Sequence, residues 1–144
     1  MGKRRPMEIS DYFKVEERET MRRVVVESPF AGDVKLNTWY ARAALADSLR
    51  RGEAPIASHL LYTQPGVLDD TDPAERNHGI RAGFRWGELA DAVVVYTDLG
   101  VSSGMKTGIA YYRMYCDMTA PIEYRSLGGG MVTGLRRGDE NATS

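Results

Sequence analysis

The sequence predicts an α/β fold, in which a doubly wound parallel sheet lies between two layers of helices. The predicted elements alternate in the order β-α-β-α-β-α-β, which favours a parallel sheet with right-handed crossovers. The run Val93–Tyr96 is apolar without alternation, as is typical of a strand covered on both faces. Loops of small polar residues follow two of the strands, at Ser28–Asp33 and Asp98–Gly104.

The first half of the chain supplies two strands and one helix. The first strand is predicted at Arg23–Glu27, around three consecutive valines, and Pro29 prevents its continuation because proline has no N–H for the ladder. Small and apolar side chains recur at helical spacing over Leu36–Arg51, and Gly52 suits the C′ position of that helix. A short second strand is predicted at Pro55–Ser58.

The second half supplies two helices and two strands. The connection His59–Thr71 is long for a compact domain, and such loops are often functional. Asp72, which is followed by proline, begins the second helix, which ends near Leu89. The strand Val93–Tyr96 comes next. A third helix over Gly104–Cys116 and a last strand over Pro121–Tyr124 complete the predicted sheet.

A single domain is expected for 144 residues, with residues 23–127 as the folded unit. Residues 1–22 are interpreted as an N-terminal extension with a short helix beginning near Ser10. This extension is either a loosely docked arm or a dimer contact. Residues 128–144 are interpreted as a polar C-terminal tail, with one more short element at Met131–Leu135.

Composition excludes several classes of protein. The formal net charge is -1, which argues against a nucleic-acid surface. Cys116 is the single cysteine, so the chain has no internal disulfide framework and suits a reducing compartment. No apolar run is long enough to span a bilayer, and two histidines with one cysteine show no metal-ligand spacing. We expect a cytoplasmic protein without a cofactor, a metal, or direct membrane or nucleic-acid binding.

The predicted topology brings the two polar loops together. In a sheet of order 2-1-3-4 the strand order reverses between the first and third strands, and ligands bind at the carboxyl ends of strands at such a point. The loops Ser28–Asp33 and Asp98–Gly104 follow these two strands. Ser102 and Ser103 can cap the next helix, whose first N–H groups form an anion site. We therefore expect one crevice that accepts an anionic group.

A set of short motifs lies between roughly Val24 and Ser126. It comprises Val-Glu-Ser-Pro-Phe-Ala-Gly-Asp at Val26–Asp33, Asn37 with Tyr40-Ala41-Arg42, Ala54–Tyr62, Leu68–Asp70, Pro73 with Glu75-Arg76, Gly79-Ile80, and Ser102–Lys106. Together these motifs resemble a family of small bacterial and phage proteins. That family is similar to nucleoside 2-deoxyribosyltransferases and 2′-deoxynucleoside 5′-phosphate N-hydrolases.

The resemblance implies a flavodoxin-like, Rossmann-like sheet and a pocket for a nucleoside or nucleotide. It also implies a homodimer or a higher homo-oligomer, with the pocket near a subunit contact. The first loop would hold the sugar or phosphate, and the turn at Ser102–Gly104 would hold the 5′-phosphate. The candidate ligand-binding residues are Ser28, Phe30, Gly32, Asp33, Asn37, His59, Ser102, Ser103, Gly104 and Met105.

The positions that match the catalytic carboxylates of the related enzymes hold glycine in this chain. Those enzymes carry a glutamate on the helix after the second loop, and some carry an aspartate on the preceding helix. The matching positions are Gly108 and Gly83. Neither glycine can act as nucleophile or base, whereas cleavage of an N-glycosidic bond needs a carboxylate near the sugar and an acid near the base.

Two functions therefore remain open. In the first, the protein is an N-glycosidase or a deoxyribosyltransferase that acts on a (deoxy)nucleotide through other carboxylates. Asp98 and Glu75 are the candidate catalytic residues, and Glu27 and Asp33 are alternatives. In the second, the protein binds a nucleotide without catalysis and sequesters or senses it. A flavin-binding module is a third interpretation, which the lack of a Ser/Thr-rich phosphate loop after the first strand disfavours.

Each candidate side chain also has a purely structural interpretation. Ser102 and Glu75 can cap helices, and Asp98 can stabilise a turn. His59 can make a structural hydrogen bond, although a histidine also suits acid–base chemistry near neutral pH.

Overall fold

Four parallel strands form one sheet in the computed structural model, which describes residues 2–12, 20–116 and 120–128. The strands are β1 (Arg23–Glu27), β2 (Ala54–Ile56), β3 (Ala92–Tyr96) and β4 (Ile122–Arg125). Their order is β2-β1-β3-β4, and every neighbouring pair is parallel. This arrangement confirms the predicted sheet order and its reversal between β1 and β3.

Four helices connect or flank these strands. They are α1 (Val34–Arg50), α2 (Ser58–Leu61), α3 (Pro73–Gly87) and α4 (Ser103–Tyr115). The helix α1 begins two residues earlier than predicted, because Asp33 caps it by accepting a hydrogen bond from the Leu36 N–H at 3.2 Å. The helix α2 occupies the start of the predicted loop His59–Thr71, so β2 ends at Ile56 and not at Ser58.

Alternate side chains of the central strands pack against opposite helical layers. Val24 and Val26 of β1 pack with Tyr40 and other α1 residues on one face of the sheet. Val25 of β1 packs with Met105 and other α4 residues on the other face. Because both faces of the sheet are covered by helices, the sequences of the central strands are continuous apolar runs. The fold is thus the predicted three-layer α/β/α arrangement.

A charged network connects β4, at one edge of the sheet, with the residue that precedes β2, at the other edge. The Glu53 carboxylate, which precedes β2, accepts hydrogen bonds from Arg125 at 2.6 Å and from Arg22 at 2.7 Å. The Arg125 guanidinium chiefly holds the pKa of Glu53 at about 2, against the opposing effect of partial burial. The Ser48 hydroxyl of α1 donates to the same carboxylate at 2.9 Å, so the network also fixes a helix to the sheet.

The described part of the N-terminal extension contains a 3₁₀ turn at Ile9–Tyr12, close to the helix predicted near Ser10. No buried residue lies in that turn. The short element predicted at Met131–Leu135 lies outside the described residues. Within the described ranges, no helix combines the length and apolarity that a membrane span requires.

Candidate functional site

A cavity of about 270 Å³ lies where the loops after β1 and β3 meet. Ser28 and Ala31 from the first loop and Ser103 and Gly104 from the second loop line it. Residues of α2, of α3 and of the loop between them form the remaining walls, including His59, Ile80 and Phe84. The expectation that both polar loops open into one crevice is therefore confirmed.

Most of the candidate ligand-binding residues line this cavity. They are Ser28, Phe30, His59, Ser102, Ser103, Gly104 and Met105. Gly32, Asp33 and Asn37 do not line this cavity, and Asp33 and Asn37 line an adjacent depression between the same two loops. Asp33 caps α1, and the Asn37 amide donates to the carbonyl oxygens of Phe30 at 2.9 Å and Ala31 at 3.1 Å. These residues shape the first loop from behind, and Gly32 has a φ of 99° that suits glycine.

Asp98, the first candidate catalytic residue, does not line this cavity. Its carboxylate accepts hydrogen bonds from the Tyr40 hydroxyl at 2.6 Å, the Ser126 hydroxyl at 2.5 Å and the Leu127 N–H at 2.8 Å. Partial burial would raise the pKa of Asp98, but these hydrogen bonds outweigh it and lower the pKa to about 2. Asp98 therefore anchors the segment after β4 as a fully ionised carboxylate.

Glu75, the second candidate catalytic residue, also lies outside the cavity lining. Its carboxylate accepts a hydrogen bond from the Asp69 N–H at 2.5 Å. Asp72 caps α3 by accepting from the Ala74 N–H at 2.9 Å. Glu75 thus reaches back beyond the cap and fixes the preceding loop to the first turn of α3.

Ser28 and His59 form a polar pair in the cavity wall. The Ser28 hydroxyl and the His59 Nε2 are 2.9 Å apart, and the Phe30 ring meets the imidazole edge-on. Burial lowers the pKa of His59 to about 4, so the imidazole is neutral at pH 7. A histidine with so low a pKa is a weak base, and the pair is therefore suited to binding a ligand hydroxyl more than to nucleophilic attack.

The N-terminus of α4 forms another wall. The Ser102 hydroxyl caps the helix by accepting from the Met105 N–H at 3.2 Å. Ser103 and Gly104 follow in the first turn and line the cavity. The N–H groups of a first helical turn have no acceptor within the helix, and the helix dipole favours an anion there.

Sequence reasoning missed the Asp70–Arg76 pair that lines the cavity. Arg76 Nη1 and Asp70 Oδ2 are 3.2 Å apart, across the start of α3. Both residues belong to the motifs that carry the family resemblance, but the sequence does not indicate that Asp70, which precedes α3, and Arg76, which lies on α3, pair beside the cavity. Tyr62 and Thr63 also line the cavity, because α2 turns the loop after β2 back over it.

The glycines at the two expected carboxylate positions are in close contact with other residues. A Cβ added to Gly83 would lie 2.4 Å from the Ser58 Oγ, so a side chain at this position is excluded by the packing of α3 on α2. A Cβ added to Gly108 would lie 3.0 Å from Oε1 of Glu27. The Glu27 carboxyl group thus occupies the space that a side chain at position 108 would enter.

The carboxyl group of Glu27 is held in an apolar environment. Burial raises the pKa of Glu27 to about 8, and a polar interaction with the Tyr112 hydroxyl offsets part of this rise. Glu27 keeps a partly exposed surface at the end of β1. The side chain is therefore a neutral carboxylic acid at pH 7, next to residues that line the cavity.

A family model described as Domain of unknown function (DUF7768) matches residues 22–125. The matched span contains all four strands, all four helices and every residue named in the cavity lining. Comparison with curated proteins and with solved structures gave no match.

Proposed function

Since the chain belongs to the DUF7768 family of unknown function, we propose a function from its cavity: the protein binds a nucleotide and hydrolyses or transfers its N-glycosidic bond. One observation carries the proposal. The loops after β1 and β3 line a single cavity together with the N-terminus of α4. A cavity of about 270 Å³ is near the lower end of small-molecule sites, which favours a ligand about the size of a nucleoside.

The lining supports a division of the cavity among phosphate, sugar and base. Ser103 and Gly104, at the start of α4, would receive the 5′-phosphate. The hydroxyl of Ser28, in its pair with His59, would contact the sugar. The apolar surface of Ile80 would pack against the base. This division agrees with the motif resemblance to deoxyribosyltransferases and nucleotide N-hydrolases.

Non-catalytic binding is the second candidate function. The contacts at Gly83 and Gly108 favour it, because neither position has free space for the carboxylate that related enzymes carry there. In this case the protein would sequester or sense a nucleotide and release it unchanged. The two functions share the cavity and differ only in the fate of the ligand.

Calorimetric titration with the four 2′-deoxynucleoside 5′-monophosphates and the corresponding nucleosides tests the binding proposal. Saturable binding that is tighter for the monophosphates is expected. Ser103→Glu should weaken monophosphate binding about tenfold, because a second anion faces the phosphate, and should leave nucleoside binding nearly unchanged. Ala110→Glu, on the exposed surface of α4, adds the same charge outside the cavity and serves as the control.

Chromatography of the recovered ligand separates the two candidate functions. Free base in the mixture supports glycosidic cleavage, and unchanged ligand supports sequestration or sensing. The absence of saturable binding to every monophosphate and nucleoside would contradict both.

A further inference from the structure

We propose that Glu27 is the catalytic acid of the cavity and that its carboxyl group occupies the space left by the absent side chain of Gly108. This inference rests on the proposed function, since it requires a nucleotide in the cavity. Asp98 and Glu75 lie outside the cavity lining, and their carboxylates hold neighbouring segments through hydrogen bonds. Glu27 also lies outside the lining, but it directly precedes Ser28, which lines the cavity.

The position of Glu27 follows from the alternation of β1. Val25 points toward α4 and packs with its apolar residues, and Glu27, two residues later, faces the same layer. Its Oε1 and Oε2 atoms lie 3.0 Å and 3.3 Å from the Cβ position built on Gly108. Ser28 and Thr107, the chain neighbours of these two residues, both line the cavity. The carboxyl group is therefore next to the cavity, between the end of β1 and the second turn of α4.

The surroundings of Glu27 keep it protonated. Within the part of the chain that the structure describes, no cationic side chain forms an ion pair with it. The titratable group that faces it is the Tyr112 hydroxyl of α4, whose own pKa is raised by burial. A carboxylic acid that is neutral at pH 7 holds a proton that it can donate to a leaving group.

The reaction assigned to Glu27 balances with water as the second substrate. The C1′–N bond of the bound deoxynucleotide breaks, and its electron pair goes to the base, which takes the proton of Glu27. Water then adds through its oxygen to C1′, and its released proton returns to the Glu27 carboxylate. The products are the free base and deoxyribose 5-phosphate. In a transfer reaction, the incoming base takes the place of water and gives up its N–H proton in the same way.

Glu27→Gln tests this role, because glutamine keeps the shape of the side chain and has no acidic proton. Release of base from the 2′-deoxynucleoside 5′-monophosphates should fall about 100-fold or more, the usual contribution of a general acid. The dissociation constants of the monophosphates should stay within about threefold of wild type. Glu88→Gln is the matched control, since Glu88 also accepts a hydrogen bond from a tyrosine, Tyr111, but lies outside the cavity lining.

Tyr112→Phe provides a second measurement that a merely structural role for Glu27 would not move. The Tyr112 hydroxyl lowers the pKa of Glu27, so its removal should raise that pKa. The alkaline limb of the pH profile of base release should shift to higher pH in this variant. Infrared difference spectra at pH 7 should show the stretch of a buried protonated carboxyl group in wild type and lose it in Glu27→Gln.

The outcomes separate this inference from the proposed function. Wild type that binds and cleaves, together with Glu27→Gln that binds and cleaves equally well, overturns the role of Glu27 and leaves the proposed function intact. Wild type that binds every monophosphate without releasing base also overturns it and supports non-catalytic binding. Wild type that binds none of the nucleotides contradicts the proposed function itself.

Discussion

Gly83 and Gly108 lie on different helices, and a different close contact accounts for glycine at each position. At Gly83, the Ser58 side chain of α2 leaves no space for a Cβ. At Gly108, the neighbouring atoms are the carboxyl oxygens and carbon of Glu27. The first glycine is therefore a requirement of helix packing, and the second is a requirement of a carboxyl group next to the cavity.

Gly83→Ala should destabilise the protein by about 2 kcal/mol. The added Cβ would lie 2.4 Å from the Ser58 Oγ, so α2 and α3 must separate, and this cost exceeds the gain in helix propensity of about 1 kcal/mol. Urea denaturation measures the difference. Gly79→Ala on the same helix is the control, because its Cβ would meet the flexible end of Leu68 and the helix gains the same propensity. Equal stability of the two variants would contradict this account of Gly83.

Individual site residues could be predicted only where a local rule applies to them. The capping roles of Ser102 and Asp33 follow from residue type and position at a helix start. The approach of Glu27 to Gly108 depends on how α4 lies across the sheet, and no short-range pattern encodes it. The role of Asp98 in anchoring the segment after β4 is not predictable from local sequence, because its partner Ser126 is 28 residues away.

The elements of the sheet were more predictable than the site. β1 matches its predicted bounds, and β3 and β4 differ by one residue, because β-branched and aromatic runs and their flanking breakers are local signals. The crevice followed from element order alone, since the topology fixes which loops are neighbours. The helix α2 was missed because its four residues are too few to show helical periodicity.

Arg125 of β4 joins an edge strand to the residue that precedes β2, and its loss should be costly. The Arg125–Glu53 pair is almost fully buried, with side-chain exposures of 9% and 7%. Arg125→Met removes one of the positive charges that stabilise the buried Glu53 carboxylate. We therefore expect a destabilisation of about 3 kcal/mol. Chemical denaturation provides the measurement. Arg51→Met removes a more exposed ion pair with Asp47 and should cost less than about 1 kcal/mol.

For the whole molecule, Glu27 and His59 make opposite contributions to the pH dependence of stability. The pKa of Glu27 is raised from 4.5 to about 8, so its contribution is present below pH 4.5 and is lost as the pH rises toward 8. The pKa of His59 is lowered from 6.5 to about 4, so its contribution is present above pH 6.5 and is lost as the pH falls toward 4. Glu53 and Asp98, each with a pKa of about 2, add to the loss in acid.

Wild type should therefore lose about 1 kcal/mol of unfolding free energy between pH 6.5 and pH 8, because the loss from Glu27 exceeds the small remaining gain from His59. Between pH 4.5 and pH 6.5 the two contributions offset each other, and stability should be nearly level. Glu27→Gln should remove the alkaline decline, which denaturant titrations at several pH values measure. A decline of unchanged size in Glu27→Gln would show that another group causes it.

The contact between Glu27 and Gly108 also makes these two positions interchangeable as the source of an acidic group. A strand residue and a helix residue, 81 places apart in the chain, converge on one point of space. A carboxylate could consequently migrate from strand to helix through a pair of substitutions, one that empties the strand position and one that fills the helix position. The strand position would have to be emptied first, because a Cβ at position 108 would lie 3.0 Å from Oε1 of Glu27.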